Sequence, residues 1–289
     1  MKNIIIIALL FLSLSTGSHA YAEKIKVIAS IAPLADFARQ VGGEQVEVTL
    51  LLKTGASPHI YEPTPKTLRD ISCAKIFVKV GAGLEFWAEK IIKASGNKNL
   101  VVIVASSGIP LIHDTHTHHP SGADPHIWLD PTIASTIVTK IEKALIAVDP
   151  HHGELYRANA SAYKTKLSQL DREIAEKAKA FTTKEYVTFH PAWNYFSKRY
   201  GLSVAGVIEE SPGKEPGPKH LAQIVKEINR IGTKVVFVEP QFNPKIAEAV
   251  ARECNAEIVF LDPIGGQKGR ETYVDLMRYN ISAMERVMK

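Results

Sequence analysis

The stretch ELYRANASAYKTKLSQLDREIAEKAKAF, residues 154–181, contains neither proline nor glycine and separates two regions in which short strands and helices alternate. Its apolar residues recur at steps of three and four, which places them on one face of a single α-helix about 40 Å long. A helix laid along two lobes explains this apolar face, and so does a coiled-coil partner, but only the first needs no second chain. The apolar positions are Tyr156, Ala160, Tyr163, Leu167, Leu170, Ile174, Ala178 and Phe181.

The region before this helix alternates β-branched runs with helical patterns. Candidate strands cover residues 24–31, 46–52, 75–81 and 100–106, and candidate helices cover 32–43, 63–74 and 84–96. Strands that alternate with helices predict a parallel sheet with helices on its faces.

The region after the long helix repeats this pattern without repeating the sequence. Candidate strands cover residues 186–190, 203–209, 234–240 and 257–263, and candidate helices cover 191–201, 217–232, 243–255 and 271–288. We therefore predict an α/β fold of two lobes, each with a mainly parallel four-stranded sheet flanked by helices, joined by one long rigid helix. The predicted divisions are residues 23–150, 151–182 and 183–289.

The first 22 residues are typical of a secretory signal peptide. They contain one lysine, an apolar run over residues 4–14 and small residues, Ala20 and Ala22, before the expected cleavage point. The apolar run is shorter than the roughly 20 residues that span a bilayer. No cysteine stands near the cleavage point, so we expect a periplasmic protein without a lipid anchor or membrane insertion.

Charge and cysteine usage exclude some classes of function. The formal net charge of the 289 residues is +5, with acidic and basic residues mixed and no basic stripe typical of nucleic-acid binding. The only cysteines, Cys73 and Cys254, form no metal motif and are expected to remain unpaired thiols.

A polar tract, HDTHTHHP at residues 113–120, concentrates imidazoles in the middle of the chain. Its histidines are His113, His116, His118 and His119. Such a tract indicates either a solvated loop or a tether that collects metal ions. The histidines that we expect to be merely solvated are His151, His152 and His220.

Four further segments carry candidate metal ligands. They are GASPHIYEP around His59, ADPHIWLDP around His126, VTFHPAWNYF around His190 and VFLDPIGG around Asp262. Any one of these residues alone could be a surface group or a turn residue. His190 and Asp262, however, follow candidate strands, at the edge where open α/β sheets bind ligands. Three imidazoles and a carboxylate suit a tetrahedral divalent cation such as zinc.

Several motifs together resemble those of the ZnuA/TroA-like (cluster A-I) substrate-binding proteins, extracytoplasmic receptors that pass zinc or manganese to an ABC importer. They are GASPHIYEPTP, DPHIWLDP, FHPAWNYFSKRYG, VFVEPQFNPKIAEAVARE and LDPIGG. The resemblance runs from about residue 24 to the C-terminus. It implies a monomeric receptor with two lobes around one metal ion and a membrane permease as partner.

The resemblance also implies a ligand set of His59, His126, His190 and Asp262. Manganese receptors of this family tend to have a carboxylate where this chain has His190, and imidazole favours zinc. We therefore expect Zn²⁺, with Mn²⁺ as the alternative. Zinc receptors of the family often carry a histidine-rich loop before the second motif, where residues 113–119 lie, so this tract is expected to form an auxiliary, weaker site.

A zinc hydrolase is the alternative from another class of protein. Three histidines with an open fourth position activate water, and Asp262 would then act as a base. The sequence contains no HExxH or GxSxG motif and no evident acid placed for proton transfer. The sequence thus favours a receptor that is not an enzyme.

Overall fold

The computed structural model describes residues 23–113, 122–211 and 213–289. The first half of the chain contains a four-stranded parallel sheet with the strand order β2-β1-β3-β4. Apolar strand residues such as Val27 and Val78 are buried between the sheet and its helices. The strands are β1 Ile25–Ala29, β2 Val46–Leu50, β3 Ile76–Lys79 and β4 Val101–Val104, and the helices are α1 Ala32–Gly42, α2 Pro65–Cys73, α3 Ala88–Ser95 and α4 Pro131–Val148.

The second half repeats this topology, because its parallel sheet has the order β6-β5-β7-β8. Its strands are β5 Glu185–Thr188, β6 Ser203–Val207, β7 Val235–Val238 and β8 Glu257–Phe260, and its helices are α6 Asn194–Tyr200, α7 Pro218–Ile231, α8 Lys245–Glu253 and α9 Tyr273–Met288. The predicted fold class is confirmed, and both sheets are parallel throughout.

The long helix α5, Gly153–Lys179, lies between the halves and contacts both of them. Every predicted apolar position within it is buried, and Phe181 is buried just after its end. Tyr163 donates a hydrogen bond to Asp36 of α1 at 2.8 Å, and Asp171 pairs with Arg199 of α6 at 2.6 Å. The apolar face therefore packs within this chain.

Helix α9 connects the halves a second time. Its first residue, Tyr273, donates its backbone N–H to Asp36 at 2.9 Å and its hydroxyl to the carbonyl of Trp128 at 2.7 Å. The ring of Tyr273 packs against Phe37 of α1. Although α9 follows the second sheet in sequence, its beginning is thus anchored in the first half.

Helix α4 is an element that the sequence analysis did not identify. Asp130 caps it by accepting a hydrogen bond from the backbone N–H of Thr132 at 2.7 Å, and Pro131 occupies its first turn. Its buried residues are Pro131, Ala134, Ile137, Val138, Ile141 and Leu145. This apolar face packs against α1 and α5.

The thiols agree with the sequence prediction. Cys73 is exposed, Cys254 is buried, and both are free. Within residues 23–113, 122–211 and 213–289, no helix has the length and hydropathy needed to cross a membrane.

Candidate metal centre

Three of the predicted ligands meet at one point between the two halves. His59 lies in the short helical turn Pro58–Ile60 after β2, His126 precedes the turn Ile127–Leu129, and His190 follows β5 by two residues. Each offers a ring nitrogen, and these nitrogens all lie within 4.8 Å of one another. The loops at the ends of parallel strands thus bring together residues that are far apart in sequence.

The separations of these nitrogens suit a small cation. His126 Nε2 lies 3.1 Å from His59 Nε2 and 3.3 Å from His190 Nε2. Tetrahedral ligands at about 2.0–2.1 Å from zinc are about 3.3–3.4 Å from each other. Both separations are therefore close to those expected between two ligands of a single tetrahedral ion.

His126 is oriented by a buried carboxylate. Asp124 Oδ1 accepts hydrogen bonds from His126 Nδ1 at 2.7 Å and from the His126 backbone N–H at 2.9 Å. Both side chains are buried, at 1% and 0% exposure. Because Nδ1 carries the shared proton, the Nε2 lone pair points to the other imidazoles, which is the usual arrangement of a metal-binding histidine.

His190 faces a second buried carboxylate, but less closely. Its Nδ1 lies 3.1 Å from Glu239 Oε1 without the alignment of a hydrogen bond. The same oxygen accepts hydrogen bonds from Thr188 Oγ1 at 3.2 Å and from Trp193 Nε1 at 3.1 Å. Because Nδ1 of His190 faces Glu239, Nε2 of the same ring faces the other imidazoles. The negative charge of Glu239, rather than an aligned hydrogen bond, favours this orientation.

A third carboxylate adds negative potential beside His190. Glu209 is nearly buried and accepts a hydrogen bond from the backbone N–H of Gly213 at 2.6 Å. Burial raises the pKa of Glu209, while this hydrogen bond and the nearby His190 oppose the rise. The second half thus places Glu209 and Glu239 around one imidazole, which favours a cation there.

Asp262, the fourth predicted ligand, is fully buried but is not part of the histidine group. Its Oδ1 accepts hydrogen bonds from Gln241 Nε2 at 2.8 Å and from the backbone N–H groups of Ile264 and Gly265, both at 3.0 Å. Its Oδ2 lies 3.1 Å from Arg270 Nη1. Direct ligation by Asp262 stays a prediction, and it requires the carboxylate to shift toward the imidazoles.

The cavity beside the three histidines has a volume of about 10 Å³, which is room for one water-sized occupant. Two of the residues that line it, His190 and Gln241, each have a buried polar atom without a hydrogen-bond partner, Nδ1 and Oε1 respectively. Buried polar atoms are normally paired, so these two are exceptions in the described part of the chain.

The remaining predicted histidines lie elsewhere. His113 is exposed, with Nδ1 3.1 Å from the carbonyl of Gly122, whereas His116, His118 and His119 lie outside the described residues, as does the predicted signal peptide. His151 is exposed as expected. The expectation of a merely solvated side chain is wrong for two others: His152 pairs with Asp149 at 2.7 Å, and the half-buried His220 bonds to the carbonyl of Val207 at 2.8 Å.

Sequence reasoning missed the carboxylates that orient the ligands. The sequence shows no acid evidently placed for proton transfer, and its reading did not identify Asp124 and Glu239, which contact His126 and His190. A sequence signal existed for Asp124, which stands two residues before His126. The contact of Glu239 depends on the position of β7 beside β5 in the sheet, which the sequence does not show.

Comparison with known proteins gives concordant results. A family model described as "Zinc-uptake complex component A periplasmic" (ZnuA) matches residues 27–287. The chain is 30% identical to the high-affinity zinc uptake system protein ZnuA of Bacillus subtilis, over 93% of this chain and 89% of that protein. It is also 29% identical to the manganese-binding lipoprotein MntA of Halalkalibacterium halodurans, over 92% of this chain and 89% of that protein.

A solved structure supports the same relationship. The crystal structure of a ZnuA deletion mutant with zinc bound superposes with a TM-score of 0.84 at 30% identity, and covers 92% of this chain and 99% of that one. The similarity thus extends over both halves and the helix between them.

Proposed function

The chain belongs to the ZnuA family of periplasmic zinc-uptake components, and we propose that it captures Zn²⁺ between its two lobes and delivers the ion to an ABC importer. The observation that carries this proposal is the meeting of three imidazole nitrogens from both halves of the chain. We assign His59, His126 and His190 as ligands, with Asp262 as the fourth. The lobes are residues 23–150 and 183–289, with residues 151–182 as the linking helix.

The chemistry of the donors supports zinc over manganese. Imidazole nitrogen suits zinc, whereas manganese prefers a set richer in oxygen. The similarity to MntA is the reason to keep Mn²⁺ as the alternative substrate. His190, with the carboxylate of Glu239 behind it, is the residue that most favours zinc.

Binding without turnover follows from the surroundings of the imidazoles. The two buried carboxylates face the outer Nδ1 atoms of His126 and His190, where they orient ligands. A hydrolase needs an acid or base that reaches substrate on the inner side of the metal. The protein acts as a periplasmic receptor, secreted through residues 1–22, and works as a monomer with a membrane permease.

Release then depends on the permease. Two lobes joined by α5 and α9 form a stiff frame, so the permease has to distort the ligand set before the ion leaves. Protonation of imidazole competes with the metal, and zinc affinity should fall as the pH drops through the ordinary histidine range near 6.5.

Calorimetric titration of the chelator-treated protein with Zn²⁺ and with Mn²⁺ tests the proposal. We expect one tight zinc site, weaker binding of manganese, and loss of the tight site in His190→Ala. His151→Ala is the matched control, because His151 is exposed and outside the group. Equal zinc binding by His190→Ala and wild type would contradict the assignment, and steady hydrolysis of an ester by the zinc form would favour the enzyme.

The histidine tract has its own test in the same experiment. Deletion of residues 113–119 should remove weak additional zinc binding and leave the tight site unchanged. If the weak binding persists, the tract is a solvated loop without an auxiliary site.

A further inference from the structure

A groove of about 570 Å³ adjoins the histidine cavity. The groove is lined by the segment after β2 and the beginning of α2, while the cavity is lined by the three histidines and the segments after β7 and β8. Two residues line both spaces, Ser57 and Gln241. An ion that passes from this groove to the imidazoles therefore passes these two side chains.

Of these two, Ser57 is the fixed side chain. It is short and buried, and its hydroxyl accepts a hydrogen bond from the backbone N–H of His59 at 3.4 Å. Gln241 has three rotatable side-chain bonds. Its backbone lies in a turn that is closed by a hydrogen bond from the N–H of Phe242 to the backbone carbonyl of Glu239 at 3.2 Å. Rotation of the Gln241 side chain can thus open the boundary without movement of the main chain.

The two ends of the Gln241 amide have different surroundings. Its Nε2 donates to Asp262 Oδ1 at 2.8 Å, and Asp262 is outside the histidine group. Its Oε1 is buried and has no hydrogen-bond partner, and the residue lines the cavity. The amide is therefore held at one end only, by a single bond to a carboxylate, and lies where the groove meets the cavity.

We infer that Gln241 is a gating residue: its amide closes the passage from the groove to the three imidazoles and restrains Asp262, and Zn²⁺ enters by displacing it. This inference rests on the proposed function, because it takes the three imidazoles as the zinc site. Loss of the hydrogen bond to Asp262 removes one restraint on this carboxylate at the step in which the ion arrives, while the backbone N–H groups of Ile264 and Gly265 and the side chain of Arg270 still hold it. Gln241 is thus a positioning residue that links entry of the ion to the availability of Asp262.

Stopped-flow measurement of zinc association tests the gate. Gln241→Ala removes both the bulk and the hydrogen bond, and should raise the association rate constant about tenfold, the factor that corresponds to one hydrogen bond to a charged group. Gln241→Met keeps the bulk but loses the bond, and should lie between wild type and Gln241→Ala. Gln223→Ala, an exposed glutamine on α7, is the matched control and should associate like wild type.

A second readout separates gating from a merely structural role. Because a gate changes the barrier in both directions, the rate of zinc transfer to an excess of chelator should also rise, so that Kd changes less than either rate constant. Wild-type association rates in both Gln241 variants would overturn the gate.

The same measurements distinguish failure of the gate from failure of the proposed function. If the wild type binds zinc at one tight site and the Gln241 variants do so at unchanged rates, only the gate is wrong. If the wild type has no tight zinc site, the proposed function fails and the gate with it. Thermal unfolding of each variant identifies those that fold. If Gln241→Ala does not fold, the association rate of Gln241→Met, which preserves side-chain volume, tests the gate.

Discussion

The first half of the molecule holds His126 more firmly than the second half holds His190. Asp124 binds His126 through both the ring and the backbone N–H, at 2.7 and 2.9 Å, whereas Glu239 faces His190 at 3.1 Å without alignment and keeps one oxygen unpaired. Asp124 also reaches across to α6, since Oδ2 accepts a hydrogen bond from Asn194 at 3.1 Å. The first half thus supplies a preorganised ligand, while the second supplies one that is able to adjust when the ion binds.

Asp124→Asn should have the largest effect on zinc binding. It removes the charge that orients His126 and weakens the contact to α6, so we expect zinc affinity to fall about 100-fold, the upper end for a residue that supports a metal ligand. Competition with a chelator of known affinity measures the change. Binding within about threefold of wild type would show that His126 needs no such support.

Glu239→Gln should have a smaller effect on binding than Asp124→Asn and should not destabilise the protein. We expect about a tenfold loss of zinc affinity, at the lower end of the same range. Glu239 is fully buried with an unpaired oxygen, so replacing it by a neutral amide should not lower the melting temperature of the protein without added zinc.

The two variants, Asp124→Asn and Glu239→Gln, serve as controls for each other when their melting temperatures are compared. Asp124→Asn should lower the melting temperature, because this carboxylate accepts hydrogen bonds from the ring and the backbone N–H of His126 and from Asn194. Equal losses of stability in the two variants would contradict the difference between the halves.

Tyr195→Phe tests whether contacts between the two halves affect stability without affecting the orientation of His126. The Tyr195 hydroxyl donates to the carbonyl of Asp124 at 3.1 Å and accepts from the N–H of Ile112 at 3.0 Å. Its removal should reduce the free energy of unfolding by about 1–2 kcal/mol. The zinc affinity should change much less than in Asp124→Asn, because the carboxylate stays in place; a loss as large as that of Asp124→Asn would contradict this.

Arg199→Ala should have the smallest effect, and one that depends on pH. Burial alone would raise the pKa of Asp171, but hydrogen bonds from Arg199 and Tyr200 outweigh it and lower the pKa below its ordinary value. Because the folded pKa is depressed, the pair stabilises the protein above pH 3.8, the ordinary aspartate value, and loses this contribution as the pH falls further.

The size of this effect is limited by exposure. Arg199 is 40% exposed, so solvent screening keeps the expected loss at about 0.5 kcal/mol near neutral pH. Urea unfolding of wild type and Arg199→Ala at neutral and acidic pH should give curves that converge at the acidic end, with equal zinc affinity in both proteins. If the difference in unfolding free energy between the two proteins grew toward low pH, the predicted pH dependence would be contradicted.

The order of the elements could be predicted because strands, helices and the apolar face of α5 each have a clear sequence period. Helix α4 was missed because Asp130 and Pro131 are common in turns as well as at helix starts. The three histidines could be found because each lies in a motif that resembles one of the family, GASPHIYEPTP, DPHIWLDP or FHPAWNYFSKRYG. Their convergence was a spatial hypothesis that the structure supports by geometry.

The supporting residues could not be predicted in the same way. The contacts from Glu239 to His190 and from Gln241 to Asp262 depend on the order of strands in the second sheet, in which β7 lies between β5 and β8. Local sequence does not encode that order. Arg270 pairs with Asp262 through a loop whose path depends on glycines with positive φ, Gly265, Gly266 and Gly269.

The central claim is that imidazoles from both halves of the chain share one ion. X-ray absorption spectroscopy of the protein loaded with one equivalent of zinc tests it most directly. The account predicts three imidazole nitrogens at about 2.0–2.1 Å and one oxygen, with no sulfur. A first shell with a sulfur at about 2.3 Å, or with fewer than three imidazoles, would contradict it.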